Sequence, residues 1–159
     1  MENIFNPQEI LRIAIKVEEN GQKLYRSLEQ KTNNEKIKEM WHYLMEQEER
    51  HREVFATMLD KVGDYIVYEY SAGEYQAYIK AIASQFVFTQ KLIEEKARQL
   101  FQSDMEAVDF GIYIEKESIL TYSALREYVL TAKQSVLDKV IEEEKTHLVR
   151  LTSLKESLK

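Results

Sequence analysis

From Ile37 to Val62 the positions Ile37, Trp41, Leu44, Glu48, His51, Phe55, Met58 and Val62 follow one another in alternating steps of four and three residues. Such spacing is the seam of a helix packed along its neighbours, because residues three and four apart share a face. Six of these eight are apolar, so Glu48 and His51 in mid-seam need a reason. The same periodicity predicts three more long helices. Asn6, Pro7 and Glu9 supply an N-cap, a first-turn proline and a first-turn acid, so the first helix starts near residue 7 and runs to about Lys31. "TNNE" at 32–35 provides a turn and a new cap for the second helix, with Gly63 as its C-cap. Ser103 or Asp104 caps the third, to about Leu130, and the fourth fills roughly 133–158. Short links make each consecutive pair an antiparallel hairpin. Between Gly63 and Ser103 the chain must cross from one hairpin to the other; this crossover holds five tyrosines from Tyr65 to Tyr78, an extended-looking "QFVF" and a short helix from about Thr89 to Phe101.

The two hairpins repeat each other. "VEENGQKLY" (17–25) aligns with "IEKESILTY" (114–122), each with a glutamate seven residues before a tyrosine, and "EQEERHREV" (46–54) aligns with "EEEKTHLVR" (142–150), each carrying Glu-x-x-His. Glu18 and Glu115 are 97 apart, Glu48 and Glu144 are 96 apart, and so are His51 and His147. Helical geometry selects the inward acids. Glu18 shares its side with Ala14, Val17, Gly21 and Tyr25, whereas Glu19 keeps company with Arg12, Lys16, Lys23 and Arg26. Glu144 lies with Leu137, Ile141, Leu148 and Leu151, while Glu142 falls outside; Glu143, beside Val140 and His147, is a candidate supporting group or replacement ligand. In the third helix the stripes of Glu115 and Glu117 are both apolar, and the repeat favours Glu115. His42 has no inward acid before it and reads as a surface residue.

Composition narrows the chemistry. A length of 159 residues suits one domain, read here as 1–159, and four glycines with one proline are too few for a β-rich fold. No cysteine is present, so any metal must use histidine, carboxylate or water. A net charge of −6 argues against nucleic acid, and the absence of a long apolar run or a signal-like N-terminus points to a cytoplasmic protein away from membranes. Four glutamates and two histidines inside a bundle cannot stay ionised unpaired. Their stripes carry no lysine or arginine nearby, whereas two divalent cations would cancel four carboxylate charges. One glutamate from each of two helices and Glu-x-x-His from each of the others is the ligand pattern of ferritin-like di-iron or di-manganese bundles. Glu48 and Glu144 are expected to bridge, with Glu18 and His51 at one end and Glu115 and His147 at the other.

Through "AIKVEENGQKLY", "MEQEERH", "AVDFGIYIEKESILTY" and "IEEEKTHLVRL" the chain resembles the rubrerythrin branch of the ferritin-like superfamily over nearly its whole length. The resemblance implies an all-α ferritin-like four-helix bundle, two hairpins joined by a long crossover, holding two irons, or manganese, that react with peroxide or dioxygen. It implies a peroxide-reducing or ferroxidase centre concerned with oxidative stress or iron handling. Two departures stand out: there are no cysteines for the rubredoxin-type iron site of the larger family members, so an external redox protein must supply electrons, and Ser118 stands where those members carry an extra glutamate. Tyr25 and Tyr122, two turns beyond Glu18 and Glu115, are candidate catalytic hydrogen-bond donors to a ligand or to the bridging carboxylates; ordinary core tyrosines are the alternative. An iron-sequestering module, a substrate oxygenase and a purely interacting bundle are the rival functions. The crossover tyrosines would cover the bundle's flank or form a homodimer surface.

Overall fold

Four long helices make up most of the described residues: α1 (Pro7–Lys31), α2 (Glu35–Lys61), α3 (Asp104–Arg126) and α4 (Thr131–Ser157). The computed structural model describes residues 7–62, 101–127 and 129–159, together with Glu74, Ala77, Ala81 and Glu95. The expected Asn6 cap and "QFVF" lie outside the described residues, as do the tyrosine-rich stretch apart from Glu74 and Ala77 and the short crossover helix apart from Glu95 and Phe101. No helix among the described residues is long and apolar enough to cross a membrane.

Local chemistry sets the helix ends. Asn34 is the N-cap of α2 and its Oδ1 accepts from the backbone N–H of Lys36 and Ile37. The C-cap is Val62 in an extended conformation, one residue before the Gly63 expected there. Of the two candidates for α3, Ser103 is the cap and accepts from Glu106 N–H, while Glu106 accepts from Gln102 N–H, a reciprocal arrangement close to a capping box. Asp104 instead accepts from the Thr32 hydroxyl at 2.7 Å and ties the first hairpin's turn to the start of α3. The third helix stops at Arg126 rather than near Leu130 because the Gln134 amide, from the first turn of α4, donates to the carbonyls of Arg126 and Val129. That cap tightens the second link and lets α4 begin at Thr131.

Within each hairpin the helices pack closely, and α1 faces α3 while α2 faces α4 across the bundle. Tyr25 of α1 meets Glu115 of α3 while Tyr122 meets Glu18, which requires α1 and α3 to run antiparallel. The seam of α2 is buried as its spacing predicts, from Ile37 through Trp41, Leu44, Glu48, His51 and Phe55 to Met58. Two aromatic pairs brace the bundle: Tyr25 stacks on Trp41 with centroids 5.6 Å apart, and Phe55 tilts against Tyr122 at 5.1 Å. On α3 the buried face is wide, taking in Val108, Gly111, Glu115 and Tyr122 but also Ile114, Thr121 and Ala124, so two stripes that the sequence could not separate are both interior.

Candidate metal centre

Glu18, Glu48, His51, Glu115, Glu144 and His147 are all buried and converge in the middle of the bundle. They form two overlapping groups: Glu18, Glu48, His51 and Glu144 in one, and Glu48, Glu115, Glu144 and His147 in the other. Within each group the potential ligand atoms lie within 4.8 Å of one another, and Glu48 and Glu144 belong to both. The neighbouring acids Glu49 and Glu142 are exposed and Glu19 is half-buried against Lys16. His42 is at the surface between Glu29 and Glu46.

The histidines aim Nδ1 inward. His51 Nδ1 is 2.8 Å from Glu144 Oε1 and 3.7 Å from Glu18 Oε2; His147 Nδ1 is 3.4 Å from Glu115 Oε2 and 3.7 Å from Glu144 Oε2. These approaches are not aligned hydrogen bonds. Both Nδ1 atoms, both oxygens of Glu144 and the Oε2 atoms of Glu18 and Glu115 are buried with no hydrogen-bond partner. Buried polar atoms are ordinarily satisfied, so six orphans facing one small region suit a cation rather than one another. A donor set of imidazole and carboxylate fits iron or manganese and offers zinc or calcium a poorer match.

Supporting contacts hold the outer atoms. Tyr25 donates its hydroxyl to Glu115 Oε1, and Tyr122 donates to Glu18 Oε1. The tyrosines thus grip the two end glutamates crosswise between hairpins, not the two shared carboxylates, and leave each Oε2 turned inward. Glu143, ambiguous by sequence, lies 2.8 Å from His51 Nε2. Gly21 makes room for a shared carboxylate: a Cβ at this position would stand 2.6 Å from Glu48 Oε2. Neither the crosswise grip nor the Gly21 contact was readable from one-dimensional spacing, since both join residues on different helices. Ser118 is buried on the same face of α3 as Glu115.

The electrostatics describe a site that takes up protons when no cation is bound. Burial, then the charges of Glu18, Glu144 and Glu115, pushes the Glu48 carboxyl well above the usual carboxylate range. Burial and Glu144 raise Glu115 to about 8, against the pull of His147. Burial alone favours neutral imidazoles, but Glu144 and Glu18 push His51 up to about 11, and Glu115 and Glu144 push His147 up to about 9. Glu144 moves the other way: burial opposes its ionisation, yet His147 and His51 hold it well below the usual range. Burial, followed by Glu115 for Tyr25 and Glu18 for Tyr122, keeps both phenols far above their ordinary value, so they act as donors. An unpaired buried ion costs several kcal/mol, which makes protons the substitute for metal charge.

A search of curated proteins found no match to the chain. Among solved structures, a ferritin-like diiron-carboxylate protein from Thermotoga maritima matches it over 100% of both chains, with a TM-score of 0.73 and 27% identity. The rubrerythrin family model matches residues 9–155, a span that contains all six converging residues and both tyrosines, and the chain belongs to the rubrerythrin family.

Proposed function

We propose that the chain binds two divalent metal ions, iron in the first instance with manganese as the alternative, and reacts with peroxide or dioxygen. The observation that carries this reading is the set of six orphaned atoms contributed by Glu18, Glu115, Glu144, His51 and His147, arranged in two groups that share Glu48 and Glu144. Glu18 and His51 would hold one ion, Glu115 and His147 the other, with Glu48 and Glu144 between them. The diiron-carboxylate description of the Thermotoga maritima protein supports iron.

Iron bound there supplies the electrons for reducing an O–O bond. The protein's own share is geometric and electrostatic. Tyr25 and Tyr122 fix Glu115 and Glu18 by donating to their Oε1 atoms, and burial keeps both phenols protonated in that role. The aromatic and aliphatic layers around Trp41, Phe55 and Leu44 keep bulk water out. With no cysteine in the chain, renewed reducing equivalents would come from a separate redox protein.

Anaerobic titration with ferrous iron, followed by metal counting and an absorbance scan after adding peroxide, tests the reading. Two irons per chain and a ferric-carboxylate absorbance are expected, with loss of binding in Glu48→Ala and His147→Ala. Failure of the native protein to bind near two irons per chain would overturn it. Sequestration without turnover is the second reading, favoured by Ser118 in the position of the extra family glutamate. It predicts one oxidation per iron loaded, whereas the peroxidase reading predicts repeated peroxide consumption with an added reductant.

A further inference from the structure

Glu143 meets His51 at the ring nitrogen opposite the centre. Its Oε2 is 2.8 Å from Nε2, while Nδ1 of the same ring faces Glu144 and Glu18. The two nitrogens of an imidazole point away from each other, so Glu143 cannot also reach the central region while it holds this contact. A carboxylate only accepts, and in a neutral ring the proton therefore resides on Nε2, leaving the Nδ1 lone pair for a cation. Carboxylate backing of this kind fixes the tautomer and makes the imidazole a stronger donor.

The other half of the internal repeat lacks this device. Glu143 and His147 are four residues apart, as are Gln47 and His51, and the 96-residue offset that relates the two Glu-x-x-His segments places Gln47 opposite Glu143. Gln47 is buried but carries a neutral amide. The carboxylates that approach His147, Glu115 and Glu144, both do so at Nδ1, and among the described residues none is paired with its Nε2. A site otherwise matched, glutamate for glutamate and histidine for histidine, is thus uneven in what stands behind its histidines.

We propose that Glu143 is a positioning residue that makes the two halves of the centre inequivalent, giving the half built from Glu18 and His51 the tighter hold on a divalent cation. This rests on the two-ion reading above. The measurement is stepwise binding of ferrous iron to the full chain under anaerobic conditions, by competition with a chromophoric chelator, paired with Mössbauer spectra at one equivalent of 57Fe. In the native protein the first ion binds more tightly than the second, and one quadrupole doublet dominates. Removing a carboxylate behind a histidine ligand typically weakens metal binding by about 10–100-fold. E143Q should therefore weaken the first step by that factor, leave the second within about threefold, and give two doublets of similar weight at one equivalent. The reciprocal Q47E should strengthen the second step, in a variant that keeps the native first step. Thermal unfolding of cation-free E143Q should match the native protein, since the Glu143 side chain is 41% exposed.

Equal stepwise affinities in E143Q and native protein overturn the proposal, as does an equal loss at both steps, which would make Glu143 a general support. Native protein that fails to take up near two irons overturns the two-ion reading itself, a failure distinguishable from either.

Discussion

Replacing Gly21 by alanine should separate the centre from the fold. A Cβ at this position falls 2.6 Å from Glu48 Oε2, 3.2 Å from its Cδ and 3.4 Å from its Cγ. The obstacle is the far end of a flexible side chain, so the carboxylate can retreat while the backbone stays. To regain ordinary contact it must move about 0.8 Å, from 2.6 to 3.4 Å. In the middle of a helix the exchange of glycine for alanine contributes about 0.5–1 kcal/mol of stability. Glu48 belongs to both groups of potential ligands, and sites of this kind demand placement to within about 0.5 Å. The expected outcome is a cation-free protein that melts at the native temperature or up to about 4 °C above it. Its affinity for ferrous iron should fall by about 10–100-fold, the range that disturbing the setting of a metal ligand costs. Circular dichroism melting and chelator competition measure the two effects independently. Native affinity in Gly21→Ala would refute the geometric argument. So would a drop of more than about 10 °C in melting temperature, which would mean that helix packing and not Glu48 absorbs the clash.

Tyr25→Phe and Tyr122→Phe each remove the donor to a buried carboxylate, and each should lower the stability of the cation-free protein by about 1–3 kcal/mol in chemical denaturation. Glu115 raised to about 8, His147 to about 9 and His51 to about 11 all bind more protons in the folded than in the unfolded chain. Stability of the cation-free protein must therefore fall as pH rises from 7 through 9, by about 1–3 kcal/mol per group, whereas the iron-loaded protein should lose this slope; denaturation at pH 7 and 9 with and without iron checks it. These three groups and Glu48 must give up protons when an ion enters, so iron loading in weak buffer at pH 7 should release up to about four protons, one each from Glu48, Glu115, His51 and His147. Gln134→Ala uncaps the carbonyls of Arg126 and Val129 and should cost about 1 kcal/mol in thermal unfolding without altering iron binding.

The helix ends that the sequence anticipated are those with their own local chemistry. Asn34 and Ser103 cap by side-chain oxygens reaching two or three residues ahead, an interaction contained within one short stretch of chain. The end of α3 falls several residues before the expected one: its C-cap is Glu127, and the carbonyls of Arg126 and Val129 are satisfied by Gln134, a residue of the next helix. Glu115 and Glu117 could not be told apart by their stripes, since α3 is packed on two sides and both faces are apolar.

The six converging residues were legible because a buried ionisable group breaks an apolar period, and the repeat between hairpins marks the same break twice. Periodicity specifies which side of a helix each residue faces, and that is a property of a single chain segment. What lies opposite depends on how helices from different hairpins are set against each other. Only the packed bundle decides that Tyr25 grips Glu115 and Tyr122 grips Glu18, that Glu143 stands behind His51, and that Gly21 yields its space to Glu48. Each of these joins atoms on separate helices, brought within reach by burial of the apolar seams, and no spacing along one helix encodes the register between two.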